Sequence, residues 1–315
     1  MKLVFCGTPM FAVPSLERLH AAGFEIQLVV TQPDRPQGRG MTLTAPPVKQ
    51  SALKLGLAVI QPEKIKKNEE FQAQLKSLQP DAIIVVGYGR IIPPWMLQLP
   101  RYGNINVHAS LLPKYRGAAP VQWAIAQGET VSGVTTMLLN EGLDTGDILL
   151  QKEMAIRPED TAVTYAPRLA EMGADLIVET LRGLEDKTVA AVPQDHATAT
   201  LAPILKKEDG LVDFSRTATE IHNRLRGFQP WPGAYAQFRG KGLKLSSALP
   251  EDTASNLSPG ELRVGDDKLF VGCAQRTVLQ LLQVQPEGKK IMSAREFING
   301  YHPAAGERLS SAKES

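Results

Sequence analysis

Three side chains in the first half of the sequence have the chemistry of a group-transfer site. Asn106 and His108 stand one residue apart in NINVHAS (104–110), a run that reads as a buried strand, and Asp144 follows in GLDTGD (142–147). Alternate residues of a strand face the same way, so Asn106 and His108 share a face. An asparagine amide can donate its N–H to a developing oxyanion. A histidine donates when protonated and relays a proton near neutral pH. An aspartate beside it favours the charged imidazole and orients it. None of the three is a strong nucleophile in this arrangement. They fit direct transfer of an acyl-type group between two bound substrates, with no metal cluster or covalent carrier required.

Singly, each residue has a plainer reading. A histidine at a strand end is commonly a satisfied structural group, Asn106 could cap a turn, and Asp144 before Thr145-Gly146 has the spacing of a turn residue. Other motifs fall away. Ser110 lacks the G-x-S-x-G elbow of a hydrolase nucleophile. The GYG at 87–89 lacks the third glycine of a dinucleotide fingerprint, and CGTP at 6–9 has no P-loop lysine. What raises the three polar groups above their neighbours is that all fall at one edge of a single expected sheet.

That sheet is read from alternation. KLVFCG, EIQLVVTQ (25–32), LAVIQP, DAIIVVG (81–87), NINVHAS, VSGVTTMLLN (131–140) and GDILLQKEMAI (146–156) read as strands, the last of them antiparallel. Helical patterns fall at Pro14 to Ala22, Val48 to Leu55, Glu69 to Leu78, Pro94 to Leu99, from Pro120, and over Thr161 to Leu181. Strands alternating with helices predict an α/β layer with a mainly parallel, Rossmann-like sheet. In such sheets ligands bind beyond the carboxyl ends of the strands. TQPDRPQGRGMTLTAPP (31–47), dense in Pro and Gly, reads as a loop.

After Leu184 the texture changes. A small, polar, aperiodic stretch reads as a linker, and beyond it come one helix (Thr217–Gly227) and several short strands, which suggest a small β-barrel or sandwich. The expected organisation is therefore a first domain over 1–188, a linker over 189–205 and a second domain over 206–315. The 315 residues, 43% of them hydrophobic, suffice for two cores. No apolar run reaches the roughly 20 residues of a membrane span. MKLVFCGTPMF has too short an apolar run for a signal peptide and reads as a first strand, so a cytoplasmic protein is expected. With only Cys6 and Cys273, neither a disulfide framework nor a zinc cluster is supported. The net charge of +2 does not by itself imply a nucleic-acid partner.

Asn106-x-His108 followed by SLLP (110–113), with Asp144 downstream, resembles the signature of the folate-dependent formyltransferases, and most closely of the branch that acts on methionyl-tRNA. The resemblance runs almost end to end, through FCGTPMFA, TQPDRPQGRG (31–40), VVGYGRIIP (85–93), VHASLLPKYRGAAPVQWAI (107–125), GLDTGDIL, LKKEDGLVDFS (205–215), FQPWPGAY (228–235) and GKKIMSA (288–294). It implies that a formyl group passes from N10 of 10-formyltetrahydrofolate, a co-substrate, to the α-amine of methionine on initiator tRNA. It further implies that Asn106 and His108 stabilise the tetrahedral intermediate, while Asp144 holds His108 and assists the proton transfers. No metal is implied.

For the folate, the resemblance implies a flat, largely apolar slot formed by Gly87, Tyr88, Gly89, Ile91 and Ile92, by Ser110, Leu111, Leu112 and Pro113, and by Leu143. For the tRNA it implies the basic loop, with Arg35, Arg39 and Lys49, and a second domain that is a barrel of the OB type. Residues 206–315 hold 16 Lys and Arg against 13 Asp and Glu. Lys206, Lys207, Lys241, Lys244 and Lys289, with Arg239 and Lys290, are the candidates there. A monomer is expected, as no dimer helix stands out.

Overall fold

A computed structural model describes residues 1–37, 42–251 and 253–311. The chain divides into two compact units: 1–120, 131–155 and 165–203 form the first, and 121–130, 156–164 and the chain from Ile204 form the second.

In chain order the elements of the first half are β1 (Lys2–Gly7), α1 (Val13–Ala21), β2 (Glu25–Val30), β3 (Arg35–Gln37), β4 (Thr42–Thr44), α2 (Pro47–Lys54), β5 (Val59–Ile60), α3 (Glu69–Leu78), β6 (Ala82–Val86), α4 (Pro94–Leu97), β7 (Asn104–His108), α5 (Pro120–Ala126), β8 (Val131–Leu138), β9 (Ile148–Ala155) and α6 (Ala162–Glu185). Seven of the strands make one sheet in the order β5-β2-β1-β6-β7-β8-β9. The pairs from β5 to β7 are parallel, and β8 and β9 close that edge antiparallel. This is the mainly parallel α/β layer read from the sequence. The centre of the sheet is covered on both faces, which is why β6 and β7 are buried at all five positions.

Local sequence fixes the helices. In α3 the Asn68 side chain caps the start by accepting the Phe71 N–H at 3.0 Å. Glu69 and Glu70 lie in the positive first turn, and Phe71 and Leu75, four apart, bury one face. That face joins Val4, Cys6, Leu28, Val30, Ile83 and Val85 in the core below the sheet. The described residues of the 31–47 stretch, read from the sequence as a loop, include two short strands. β3 and β4 pair antiparallel, Arg35 opposite Thr44 and Gln37 opposite Thr42. Pro36, which has no N–H to give, is tolerated because this two-stranded ribbon is all edge.

The second unit adds α7 (Ala218–Gly227), β10 (Ala234–Phe238), β11 (Lys241–Glu251), β12 (Leu262–Gly265), β13 (Lys268–Gly272), β14 (Val278–Pro286), β15 (Met292–Ser293), α8 (Ala294–Tyr301) and β16 (Leu309–Ser310). Its sheet runs β12-β13-β14-β11-β10-β16, with every pair antiparallel. The ends of that path meet. The Leu262 N–H donates to the Glu307 carbonyl at 2.7 Å and the Leu309 N–H to the Gly260 carbonyl at 2.8 Å. The sheet therefore curls into a small barrel, filled by Leu243, Leu245, Val271, Leu279, Leu281 and Phe297. Helix α8 was not expected, yet Ser293 and Glu296 make a reciprocal capping box at its start, and S-x-x-E was there to be read. The unit also draws in α5, whose Trp123 ring meets Phe228 edge-on at 5.2 Å. Gly227 permits this: a Cβ there would lie 2.5 Å from the Gln122 carbonyl oxygen.

Candidate active site

The first sheet reverses its order between β1 and β6. The chain builds β2 and β5 on one side of β1, then returns to lay β6 and β7 on the other. Beyond the carboxyl ends of the strands at such a point, no crossover helix fills the space. β7 ends there, and its sequence leaves two polar side chains in an otherwise apolar strand. Asn106 pairs with Val85 on one side and Met137 on the other; His108, the last residue, pairs with Thr135. Both are buried, at 9% and 5% exposure. Among the described residues the Asn106 amide makes no hydrogen bond, so its N–H groups are free to meet a ligand oxygen.

His108 is held from one side. Its Nε2 lies 2.9 Å from the Tyr115 carbonyl oxygen, which can only accept, so Nε2 carries a proton. Nδ1 is left for chemistry, and it faces Oδ2 of Asp144 at 3.7 Å. That is longer than a hydrogen bond. Oδ2 itself accepts the Gly117 N–H at 2.8 Å. Gly117 has φ +125° and its added Cβ would lie 2.6 Å from the Ala202 carbonyl oxygen, so the backbone can come this close only with glycine. Asp144 has φ +50°, in the left-handed region that aspartate tolerates better than most side chains. The structure thus brings Asn106, His108 and Asp144 to one strand end, from positions 38 apart in sequence at the extremes.

The loops around them are tied by side chains that the sequence does not single out. The Thr135 hydroxyl donates to the Ser110 carbonyl at 2.7 Å and accepts from the Leu112 N–H at 3.1 Å and from Gln151 Nε2 at 2.9 Å. Gln151 also reaches the Leu112 carbonyl at 2.8 Å. Arg116, buried at 7% exposure, gives two N–H groups to Gln194 Oε1 and one to His196 Nδ1. The small, polar stretch after Glu185 is hydrogen-bonded to the first unit along its length: Val192 bridges Ile148, and Leu201 bridges Arg116. Lone side-chain bonds of this kind have no period, so only the polar character of Gln194, Thr135 and Gln151 hinted at them.

Beside the strand ends a cleft of about 590 Å³ is lined by Thr8, Pro9, Met10, Gln32, Arg35, Pro46 and the backbone of 87–89. Gly87 and Gly89 take φ +54° and +77°, and a Cβ on Gly87 would press on the Pro9 ring at 2.9 Å. The space in front of Gly87 is thus taken by Pro9, whereas a Cβ on Gly89 would meet only Gln32 Nε2 at 3.8 Å. Of the expected folate residues, Tyr88 turns its ring into the core at 1% exposure, where burial pushes its phenol pKa up. Only its backbone borders the cleft, and its carbonyl accepts from Thr8 and from Gln32. Ile92 also packs in the core, whereas Ile91 (89%) and Leu143 (64%) stand exposed. Ser110 is fully buried, its hydroxyl spent on the Lys114 carbonyl. Leu112 is buried, and Leu111 and Pro113 are half-buried beside it.

The basic candidates divide. Arg35 is exposed on β3, and Arg39 lies outside the described residues. Lys49 is bound to both Asp34 oxygens, at 2.8 and 2.9 Å, and to Gln61 at 2.6 Å. Hydrogen bonds from Lys49 and Gln61 hold the Asp34 carboxyl below the usual range. Lys49 therefore braces the base of the ribbon. On the barrel, Lys244 pairs with Tyr235 and Gln285, the Tyr235 hydroxyl donates to the Lys207 carbonyl, and Gln285 reaches the Lys289 carbonyl. Lys207, Lys244 and Lys289 thus follow one row across the outer face. Lys206 is exposed next to Lys207, Lys241 is exposed at the end of the β10–β11 hairpin, and Arg239 is paired with Glu307. Among the described residues no three His, Cys, Asp or Glu gather as a metal-ligand set.

A family model described as formyl transferase matches residues 1–181, and one described as formyl transferase, C-terminal domain, matches residues 204–302. Proteins named methionyl-tRNA formyltransferase from Koribacter versatilis and Acidobacterium capsulatum are 66% and 62% identical over 309 residues, spanning 98% of this chain and 98% and 99% of theirs. Among solved structures, an N-formyltransferase from Helicobacter canadensis in complex with folinic acid and dTDP-3-aminofucose superposes with a TM-score of 0.67 at 19% identity, over 91% of this chain and 99% of that one. At that identity the likeness concerns the fold. With relatives this similar along nearly its whole length, the chain belongs to the methionyl-tRNA formyltransferase family.

Proposed function

We propose that the protein transfers a formyl group from N10 of 10-formyltetrahydrofolate to the α-amine of methionine esterified to initiator tRNA. The observation that carries this reading is the meeting of Asn106, His108 and Asp144 at the open end of β7, with two amide donors and one ring nitrogen uncommitted. The neutral amine attacks the formyl carbon, a C–N bond forms, and the carbonyl oxygen becomes an oxyanion. Asn106 donates its amide N–H to that oxygen, an interaction whose loss costs roughly 10²–10³ in rate at comparable sites. His108 contributes through Nδ1, because Nε2 is committed to Tyr115. Asp144 holds the imidazole and takes part in moving the proton that leaves the amine to the departing N10. Bond making and breaking balance: one C–N bond forms, one breaks, and one proton changes nitrogen.

The catalytic part is read as 1–188 and the tRNA-binding part as 206–315, joined by 189–205, acting as a cytoplasmic monomer. Among the described residues no helix is long and apolar enough to cross a membrane. Arg35 on the ribbon and Arg39 of the same basic sequence stretch, with Lys207, Lys244 and Lys289 on the barrel, supply the cations for tRNA phosphates. A formyltransferase for a small amine would share the three catalytic side chains and not require that row. The test is incubation with 10-formyltetrahydrofolate and methionyl-tRNA, with formylmethionyl-tRNA as the expected product. Formate release without tRNA would point to a hydrolase instead. His108→Ala should abolish turnover and leave tRNA binding within about twofold, since it removes an interaction made in the transition state; unchanged turnover would refute the assignment.

A further inference from the structure

We infer that Gln194 is a positioning residue for the reaction, fixing the backbone turn that presents Asp144 to His108. The inference rests on the formyl-transfer reading of this site. Gln194 is buried at 6% exposure, and its carboxamide is fully used. Oε1 accepts from Arg116 Nη2 at 2.6 Å and Nε at 3.1 Å. Nε2 donates to the carbonyls of Asp144 at 2.9 Å and Gly146 at 2.7 Å. The partners settle the orientation of the amide, because a guanidinium only donates and carbonyls only accept.

The turn needs an outside tie. Between β8 and β9 the chain exposes Glu141, Gly142 and Leu143, so no apolar side chain anchors it there. On its near side Asn140 Oδ1 accepts the Gly142 N–H and the Thr145 hydroxyl. Asp144 itself adopts φ +50°, a conformation that persists only where its surroundings enforce it. Gly117 holds the carboxylate and Gln194 holds the backbone. The other end of Gln194 grips Arg116, next to Tyr115, whose carbonyl fixes His108. One carboxamide therefore joins the supports of both members of the His108–Asp144 pair. Gln194 is steady enough to do this because its segment is tethered on either side, by paired hydrogen bonds of 2.8 Å between Val192 and Ile148 and by the Arg116 N–H to the Thr200 carbonyl at 2.9 Å.

The test is a double-mutant cycle with Asp144→Asn, measured as formylation of methionyl-tRNA by the full chain. Gln194→Leu removes both ends of the tie. Gln194→Glu keeps acceptance from Arg116 and loses the two donations. Each should lower kcat by about 10- to 30-fold, no more than loss of the Asp144 charge itself costs, with KM for both substrates changed less than about threefold. In the Asp144→Asn background each should cost less than about twofold, because the carboxylate they position is gone. Losses that multiply across the cycle would make Gln194 a generic structural residue and overturn the inference, as would wild-type kcat in either folded variant. Loss of the fold in both, read by thermal melting, overturns it too. If Asp144→Asn alone keeps full turnover, the catalytic reading itself falls and the inference with it. That outcome is distinct from a slow Asp144→Asn enzyme in which Gln194 proves independent.

Discussion

Replacing Asp144 by asparagine separates charge from shape at the centre of the site. Oδ2 accepts the Gly117 N–H at 2.8 Å and faces Nδ1 of His108 at 3.7 Å. The Gly117 N–H will select the carbonyl oxygen of an asparagine for that place, so the geometry survives and the negative charge does not. Two unit charges about 4 Å apart interact by about 4 kcal/mol at an effective dielectric of 20. The side chains are only 6% and 13% exposed, so desolvation offsets part of this. Keeping half leaves about 2 kcal/mol, and at 1.36 kcal/mol per tenfold the expected fall in kcat is roughly 30-fold, with about 10³-fold as the upper bound. Single-turnover formylation of methionyl-tRNA at saturating formyl donor reads this directly, and tRNA affinity measured separately should be unchanged. A kcat within about threefold of wild type would show that the charge of Asp144 does not stabilise the transition state, and the imidazole–carboxylate pair would have to be abandoned as the proton-handling unit.

Thr135→Val deletes the hydroxyl that ties Ser110, Leu112 and Gln151 together inside the protein; leaving the Leu112 N–H unpaired costs about 2 kcal/mol, so the melting temperature should drop by about 4–8 °C, and an unchanged midpoint would contradict the hub. Replacing Lys207, Lys244 and Lys289 together by glutamine should make the salt dependence of tRNA binding shallower by about 2 in log–log slope without altering KM for the formyl donor; an unchanged slope would move the tRNA off this face. His222 has its pKa lowered by burial, with Arg226 adding to the effect against an opposing hydrogen bond that the imidazole donates to the Ala248 carbonyl. The unfolded chain then binds more protons than the folded one as pH falls below about 6.5, so stability is full above that pH and is lost on descending through the folded value. Urea midpoints between pH 7 and 5 should fall less steeply in His222→Gln than in the wild type, and equal slopes would exclude His222 as the source.

The parts of the fold that announced themselves did so through periodicity. β6 and β7 are short, nearly unbroken apolar runs because both faces of the sheet are covered, and α3 shows its cap, its acidic first turn and its buried pair in sequence order. Asn106 and His108 could be placed on one face because a strand allows only two. Asp144 could be placed at the same edge but not at any distance from His108, since a turn of left-handed backbone has no sequence period. Tyr88 between two glycines gave no sign of which way its ring would point; the core beneath the sheet had room for it, and only its backbone borders the cleft. The recruitment of α5 into the second unit depends on one missing Cβ at Gly227, a close approach visible only in three dimensions. Gln194 was hidden for a related reason: its segment has no apolar rhythm, and its hydrogen bonds run to another part of the chain.

The three catalytic candidates are not held with equal firmness, and the difference bears on how the site works. Asn106 and His108 belong to a strand paired on both sides, so moving either means breaking the sheet. Asp144 stands on a turn with an exposed leucine at its crest, fastened by one backbone N–H and one buried carboxamide. The 3.7 Å gap to His108 therefore lies between a rigid partner and an adjustable one. Closing it by a few tenths of an ångström would make a charge-assisted hydrogen bond, which is shorter and about twice as strong as a neutral one. That change is available to the turn at little cost and to the strand only at great cost. Substitutions in the turn and its fastenings should consequently appear in kcat before they appear in melting temperature, while substitutions at the buried apolar positions of β7, Ile105 and Val107, should do the reverse.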